Sequence, residues 1–305
     1  MEKKQTAGHL AAWLTIAIWG STFIATKVLL TDFQPIEILF FRFVAGYLAL
    51  LIAAPRTLKL TDRKQELVYM AAGLCGVYLY YLLENIALTF TLASNVGVIV
   101  SIAPFFVAIL AQFFLKSEEK LHPRFFLGFV IAMAGIVCIS FNGTQMELNP
   151  AGDILAVVAA LVWAFYSLLT RKIGTFGYPI IESTRRTFFY GILFMFPTLF
   201  FFNVRPDLSR LTDPANLFNI LYLGLGASAV CFVTWNFAVK ELGAVKTSVY
   251  IYIVPVITLF ASFLILHESL TPLSILGTVL TLAGLFLSEN KAEQKSKKQP
   301  AKASS

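Results

Sequence analysis

The sequence ASNVGVIVSIAPFFVAIL, from Ala93 to Leu110, occurs in a second version 151 positions later. The second version, from Ala244 to Ala261, reads AVKTSVYIYIVPVITLFA, and its Pro255 stands where Pro104 stands in the first. Both stretches are apolar, and both have their proline near the middle. A correspondence of this length indicates that part of the chain is duplicated.

The duplication extends over nearly the whole chain. Residues of the first half reappear at offsets of 144 to 151 positions: Trp19 as Trp163, Pro35 as Pro179, Arg42 as Arg186, Asn85 as Asn236, Glu119 as Glu268, Pro123 as Pro272, Gly128 as Gly277 and Gly135 as Gly284. Self-similarity at a nearly constant spacing is typical of repeat architectures. We therefore expect two homologous halves, residues 1–143 and 144–290, followed by a basic, disordered cytoplasmic tail over residues 291–305.

The composition is that of a membrane protein. Hydrophobic residues make up 58% of the chain and charged residues only 13%, whereas soluble domains have about 25% charged residues. Runs of roughly 20 apolar residues are long enough to cross a hydrocarbon core of about 30 Å. Ten such runs occur, at 10–30, 35–54, 66–90, 93–115, 122–141, 151–173, 179–202, 216–240, 244–266 and 271–288. The chain is therefore predicted to be an all-α membrane protein with ten transmembrane helices.

The net charge of +7 comes from an uneven distribution of basic residues between the two sides of the predicted membrane. Eighteen Lys and Arg residues lie in segments on the same side as both termini, and only Arg205 and Arg210 lie on the other side. Because cytoplasmic loops carry the excess of Lys and Arg, we expect both termini in the cytoplasm. The basic excess is thus a topology signal, and a nucleic-acid partner is excluded.

Each half has five predicted spans. Since five is odd, the second half enters the membrane in the opposite orientation, which makes the two halves inverted repeats. Inverted repeats enclose a central cavity near the membrane midplane, and rocking of one half against the other opens this cavity to either side. This architecture favours a secondary transporter that works by alternating access, whereas a channel or receptor does not need it.

Two spans carry aromatic and polar residues that are expected to line the cavity. Trp19 and Thr22 lie on one face of span one, and Trp163 and Tyr166 repeat the pattern in span six. Both tryptophans lie roughly 14 to 18 Å inside their helices at 1.5 Å per residue, too deep for the aromatic belt at the membrane surface. The alternative is that these residues serve helix packing.

Span three contains the residue that is most costly to place in a membrane. Glu84 clusters there with Tyr80, Tyr81 and Asn85, and an intramembrane carboxylate is a functional candidate by default. We interpret Glu84 as the residue that couples transport to a proton or ion gradient, and the other three as cavity residues. The alternative is that Glu84 pairs with an Arg or Lys near the outer surface.

Arg42 in span two and Arg186 in span seven occupy equivalent positions in the two halves. A charge at such depth costs a few kcal/mol unless it reaches the membrane surface or is paired. We predict that the two arginines form gates or bind the substrate carboxylate, with Glu37 and Glu182 as local partners. The alternative is that both side chains extend to lipid headgroups.

Pro104 and Pro255 are expected to be hinges, because a proline removes a main-chain hydrogen bond and leaves carbonyl groups free. Ser101 and Tyr252 precede the prolines by about one turn, and Ser248 lies one turn earlier again. We expect these three side chains to face the cavity. A kink that serves only helix packing is the alternative.

Spans five and ten carry glycines seven positions apart, namely Gly128 with Gly135 and Gly277 with Gly284. Small residues on one face let two helices approach closely. We expect these spans to pack on each other, either within one molecule or across a homodimer, so the protein is a monomer or a homodimer.

Motifs for other activities are missing from the sequence. No G-x-x-x-x-G-K-[ST] phosphate loop occurs, so ATP hydrolysis by this chain is excluded as the driving force. HExxH and GxSxG motifs are also missing, which argues against an intramembrane enzyme. Cys75, Cys138 and Cys231 lie inside predicted spans without the spacing of metal ligands or disulfides. We therefore expect a non-enzymatic protein without a cofactor or metal.

Several stretches resemble the ten-span, EamA-type members of the drug/metabolite transporter superfamily. They are WGSTFIATK at residues 19–27, FFRF around Arg42, LENIAL at 83–88, the run ending at Pro104, and EEKLHPRFFLG with its copy HESLTPLSILG. The resemblance covers residues 10–288 and implies a bacterial inner-membrane protein that exports amino acids, their relatives or toxic metabolites. The substrate is then a small molecule such as an amphipathic amino acid.

The alternative within transporters is a sugar-phosphate or nucleotide-sugar carrier. Such a carrier needs basic side chains in its cavity to bind phosphate, and Lys27, Arg42 and Arg186 are the candidates that the sequence offers.

Overall fold

The computed structural model describes residues 2–114, 123–140, 150–202, 204 and 207–289. Ten helical segments follow one another along this part of the chain: α1 Glu2–Leu29, α2 Pro35–Ala53, α3 Arg63–Phe90, α4 Ala93–Phe114, α5 Pro123–Ser140, α6 Pro150–Gly174, α7 Ile180–Phe201, α8 Pro214–Leu242, α9 Ala244–Leu266 and α10 Pro272–Glu289. A short 3-10 helix, Leu208–Thr212, lies between α7 and α8. Three features of the sequence prediction lie outside the described residues: Glu119, Arg205 and the tail at 291–305.

Seven of these helices are long and apolar enough to cross a membrane, namely all except α5, α7 and α10. The helices α5 and α10 are apolar but shorter, and α7 carries Glu182, Arg185 and Arg186 in its first turns. The prediction of an all-α membrane protein is therefore confirmed. Each predicted span corresponds to one helix, and α1 differs most from its prediction because it begins at Glu2.

Side chains at the helix starts explain where several helices begin. Pro35 occupies the first turn of α2, and Gln34 and Glu37 form a capping box there. Asp62 accepts a hydrogen bond from the Lys64 N–H at 2.9 Å at the start of α3. These contacts satisfy main-chain N–H groups that have no partner inside their own helix.

Two distant side chains cap the short connection between α3 and α4. The Lys27 ammonium donates to the carbonyl oxygens of Leu88 at 2.5 Å and Thr91 at 3.0 Å, at the end of α3. At the start of α4, the Glu268 carboxylate accepts a hydrogen bond from the Ala93 N–H at 2.9 Å. Each charge lies at the helix end of opposite partial charge. The connection between α3 and α4 is therefore held by electrostatic contacts.

Four central helices depart from regular α-helical geometry. π-Helical segments occupy Leu74–Leu79 in α3 and Tyr222–Val230 in α8. A turn at residues 101–102 interrupts α4, and the 3-10 segment Val249–Ile253 interrupts α9. At the offset of 151 positions, the irregular segments of the first half coincide with those of the second. Because π segments are frequent at functional sites, these irregularities make α3, α4, α8 and α9 candidates for the functional site.

The helix contacts follow a symmetric pattern. Helix α1 packs on α8, and α6, its counterpart in the repeat, packs on α3, the counterpart of α8. In the same way α1 packs on α9 and α6 packs on α4. Equivalent helices also contact each other, α2 with α7, α4 with α9 and α5 with α10, and further contacts join α2 with α8 and α3 with α7. Every one of these contacts crosses from one half of the chain to the other, so the core lies between the halves.

The contact between α5 and α10 depends on glycine. A Cβ atom at Gly135 would lie 2.5 Å from the Gly277 carbonyl oxygen and 2.5 Å from Thr281 Oγ1. A Cβ atom at Gly284 would likewise meet the Gly128 carbonyl oxygen. The glycine faces that the sequence marks therefore meet within one molecule, because only a hydrogen atom fits at these positions.

Candidate functional site

Aromatic side chains from both halves enclose a cavity at the centre of the molecule. Five helices contribute its lining: α1 supplies Trp19, Thr22 and Phe23, α3 supplies Tyr80, Tyr81 and Glu84, α4 supplies Val100, α6 supplies Trp163, and α9 supplies Ile251 and Val254. Half of these residues are aromatic. The cavity is therefore apolar over most of its wall and has one carboxylate in it.

Trp163 is the centre of a network of touching rings. Its ring centroid lies 5.2 Å from that of Trp19, 4.8 Å from that of Tyr80 and 4.9 Å from that of Tyr166. Trp235 of α8 lies 5.1 Å from Trp19 on the other side. The rings are tilted or edge-on, the arrangements that aromatic pairs prefer. This contact network brings together rings from α1, α3, α6 and α8.

Hydrogen bonds hold part of this network in position. Trp19 Nε1 donates to the Ala227 carbonyl oxygen at 2.9 Å, inside the π segment of α8. The Tyr166 hydroxyl donates to Asn236 Oδ1 at 2.9 Å. Among the described residues, the indole nitrogens of Trp163 and Trp235 are buried without a hydrogen-bond partner. Two N–H donors at the centre of the molecule are thus free to bind an acceptor.

Glu84 lies in the wall of the cavity with 1% of its surface exposed. Its Oε1 atom has no hydrogen-bond partner in the part of the chain that the structure describes. The Arg42 guanidinium lies against Tyr81, which precedes Glu84 by three residues in α3. Glu84 is therefore deeply buried rather than at the outer surface, and it retains a free acceptor.

Arg42 lies behind the cavity wall. Its guanidinium carbon is 4.2 Å from the ring centroid of Tyr81, and its Nε donates to Ser228 Oγ of α8 at 3.1 Å. The side chain is fully buried, and neither terminal nitrogen has a partner among the described residues. Its predicted partner, Glu37, instead accepts hydrogen bonds from Arg210 at 2.5 and 3.2 Å.

Arg186 lies away from the cavity. Its Nε donates to Glu66 Oε1 at 2.8 Å, and a second contact joins Arg186 Nη2 to the other carboxylate oxygen. Arg186 Nη1 also donates to the Leu58 carbonyl oxygen at 2.9 Å. The partner is thus Glu66 of α3 rather than the predicted Glu182 of α7. This ion pair ties α7 to the start of α3.

Several predicted cavity residues bond to main-chain groups instead. Asn85 Nδ2 donates to the Pro35 carbonyl oxygen at 3.0 Å. Ser101 Oγ donates to the Val98 carbonyl at 2.5 Å and Ser248 Oγ to the Val245 carbonyl at 2.7 Å, both within their own helices. These three residues, with Tyr166 and the buried Tyr252, lie outside the lining of the central cavity.

Both prolines predicted to be hinges lie just beyond the interruptions of their helices. Pro104 follows the turn at residues 101–102 in α4, and Pro255 lies in the first turn after the 3-10 segment of α9. Both are buried. The geometry of each helix changes immediately before its proline.

Sequence reasoning missed some residues of the aromatic network. Phe232 and Trp235 in α8 are fully buried and lie within 6.0 Å of Trp19, measured between ring centroids. Their positions are those of Tyr81 and Glu84 shifted by 151, so the repeat itself carried the signal. Apolar lining residues such as Val100 and Ile251 gave no signal, because nothing distinguishes them from other apolar residues of a span.

Comparisons with known proteins match most of this chain to transporters. The sequence profile of the EamA-like transporter family matches residues 6–141 and again residues 150–289. A transporter of uncharacterized function from Archaeoglobus fulgidus is 28% identical, over 94% of this chain and 98% of that protein. A protein of Streptantibioticus cattleyicolor named as a probable terminal-alkyne amino-acid exporter is 28% identical, over 91% of this chain and 92% of its own length.

A solved crystal structure has the same fold. It superimposes with a TM-score of 0.65 at 18% sequence identity and covers 93% of this chain and 96% of its own. At this level of identity the likeness concerns the fold alone.

Proposed function

Because the chain belongs to the EamA-like transporter family, we propose that it is a secondary transporter which exports a small amphipathic metabolite, such as an amino acid, across the cytoplasmic membrane. The observation that carries this proposal is the central cavity, since helices of both halves line it and one intramembrane carboxylate lies in its wall. The relative from Streptantibioticus cattleyicolor supports both the amino-acid substrate and the outward direction by its name.

The proposed mechanism is alternating access between two inverted halves, residues 1–143 and 144–290. The symmetric helix contacts support this arrangement, because rocking of one half changes all contacts between the halves together. Pro104 and Pro255 act as hinges at the interruptions of α4 and α9. In this proposal both termini lie in the cytoplasm, which the distribution of basic residues supports.

Glu84 is the proposed coupling residue. A carboxylate at this depth is costly to keep ionised, so it exchanges a proton with whichever side of the membrane the cavity faces. An inward proton gradient then drives the substrate outward. Trp19, Thr22, Tyr80, Tyr81 and Trp163 form the substrate contacts around it.

The surroundings of the basic residues weigh against a phosphate carrier. Lys27 binds main-chain carbonyls, Arg186 binds Glu66, and Arg42 lies behind Tyr81. None of the three lines the central cavity in the described part of the chain.

Transport by reconstituted protein tests the function. We expect proteoliposomes to accumulate a labelled amino acid when the pH gradient is imposed, and to show saturable counterflow without it. Glu84→Gln is expected to lose the pH-driven accumulation at least tenfold, while Glu182→Gln, a matched change outside the cavity, retains it. Accumulation that is independent of the gradient in the unmodified protein, or unchanged in Glu84→Gln, would refute the coupling role.

A further inference from the structure

We propose that the central cavity recognises a protonated amine, which binds to the Glu84 carboxylate within a cage of aromatic rings. This inference rests on the proposed function and specifies which group of the substrate the site binds. Glu84 binds the charged group of the substrate, and Arg42 does not contact the substrate directly.

The first argument is the state of the Glu84 carboxylate. Glu84 is the one charged residue among the ten that line the cavity. It is 1% exposed, and Oε1 has no hydrogen-bond partner in the described residues. A buried carboxylate oxygen without a partner is costly, and an ammonium N–H from a ligand would satisfy it.

The second argument is the chemistry of the wall around this carboxylate. Trp19, Phe23, Tyr80, Tyr81 and Trp163 supply aromatic rings from α1, α3 and α6. Aromatic rings attract ammonium groups through their negative faces, and the attraction is strongest where water is excluded. An aromatic cage with one carboxylate is therefore complementary to an organic cation and not to an anion.

The third argument is the position of Arg42. Its guanidinium stacks on Tyr81 at 4.2 Å and bonds to Ser228 of α8, so the Tyr81 ring separates it from the cavity. Arg42 still acts electrostatically on Glu84, and a nearby positive charge offsets part of the cost of keeping a buried carboxylate ionised. Arg42 is thus a positioning residue that keeps Glu84 ready to bind an amine.

The site also offers a hydrogen-bond donor to an acceptor group on the substrate. Trp163 Nε1 faces no hydrogen-bond acceptor among the described residues, although the side chain lines the cavity. A carboxylate or carbonyl beside the amine can accept this N–H. The amine and carboxylate of an amino acid are therefore complementary to Glu84 and Trp163, and the amine is the group that is required.

The test uses three ligands that share a phenyl ring and differ in charge. Phenethylamine carries the amine alone, phenylalanine carries the amine and the carboxylate, and 3-phenylpropanoate carries the carboxylate alone. Binding is followed by tryptophan fluorescence of the purified full chain in a Trp13→Phe background. Trp13 is 50% exposed, whereas Trp19, Trp163 and Trp235 are buried at the centre, so the remaining signal reports on the cavity.

We expect phenethylamine and phenylalanine to bind, and 3-phenylpropanoate to bind at least tenfold more weakly. Glu84→Gln should weaken binding of phenethylamine at least tenfold, Glu84→Asp should restore part of it, and Glu182→Gln should leave it unchanged. The restoration by Asp separates loss of charge from loss of the fold. The inference is overturned if 3-phenylpropanoate binds as well as the amines, if neither amine binds, or if Glu84→Gln binds phenethylamine normally.

Counterflow in proteoliposomes distinguishes this result from failure of the proposed function. Saturable counterflow of any amino acid supports a carrier regardless of which end of the substrate is recognised. If counterflow occurs but the amine is not required, only the inference fails. If no amino acid shows counterflow, the proposed function fails as well.

Discussion

At the scale of single residues, the centre of the molecule holds two opposite charges that do not bond to each other. Arg42 is fully buried with both terminal nitrogens unpartnered, and Glu84 is buried with Oε1 unpartnered, considering the described residues alone. A structural ion pair would use these atoms for hydrogen bonds, because only good geometry offsets the loss of hydration. The arrangement therefore leaves atoms of both residues available to a ligand.

A double-mutant cycle tests the electrostatic link between these residues. Arg42→Met leaves the Glu84 carboxylate without its balancing charge, so we expect a lower midpoint of thermal unfolding. Adding Glu84→Gln should recover part of this loss, with a coupling energy of about 0.5–3 kcal/mol. The measurement is thermal unfolding in detergent at a pH above neutrality. Additive effects of the two changes would show that the residues act independently.

At the scale of helices, glycine permits the close contact between α5 and α10. Gly135→Leu places a side chain where the Gly277 carbonyl oxygen and Thr281 already lie. Overpacking of this kind costs about 1–3 kcal/mol, so we expect a clear fall in thermal stability. Gly174→Ala is the control, since its new Cβ would approach nothing closer than Lys240 at 3.7 Å. Equal stability of the two variants would contradict the close contact.

The π segment of α3 sets the direction of the residues that follow it. A π segment accommodates one residue more than the same length of α-helix, and each residue turns the helix by about 100°. Deleting Cys75, which lies inside Leu74–Leu79, should restore α-helical geometry and leave Glu84 facing the same way, because the π segment already accommodates the extra residue.

We therefore expect the Cys75 deletion to keep both the helical circular dichroism spectrum and phenethylamine binding. Deleting Lys59, an exposed residue between α2 and α3, should likewise leave binding intact. Loss of binding after deletion of Cys75 alone would show that the site needs the π geometry itself.

Particular residues show how far the sequence determines this site. Trp19, Thr22, Tyr80, Tyr81, Glu84 and Trp163 were predicted as site residues and lie in the cavity wall, because depth in a span and helical spacing are readable from the sequence. The partners of Arg186 and Glu37 were not predictable from local spacing, since Glu66 comes from another helix and Arg210 from the 3-10 helix after α7. Ser101 and Ser248 donate to carbonyl groups of their own helices. Any serine in a membrane helix can do this, so its presence alone does not predict a cavity residue. The residue types in the π segments do not distinguish them from regular α-helix.

At the scale of the whole molecule, equivalent residues of the two halves are predicted to lie on opposite sides of the membrane. Thr31 and Thr175 are equivalent at the offset of 144, and both are exposed at the ends of α1 and α6. In a chain without its native cysteines, Thr31→Cys should react with an impermeant maleimide from outside intact cells. Thr175→Cys should react only after the cells are opened.

Two further positions complete the labelling test. Ser209→Cys, in the 3-10 helix after α7, should behave like position 31, and Lys59→Cys should behave like position 175. All four positions are exposed in the structure. Labelling of positions 31 and 175 from the same side would contradict inverted halves, and the alternating-access mechanism with them.

The glycine contact between α5 and α10 also has a consequence for biosynthesis. The ribosome completes α5 more than a hundred residues before α10 emerges, so α5 is made without the partner that it contacts in the finished molecule. The matching face, with Gly277 and Gly284, belongs to the last helix. A chain that is interrupted before residue 272 therefore lacks the surface against which the glycines of α5 pack.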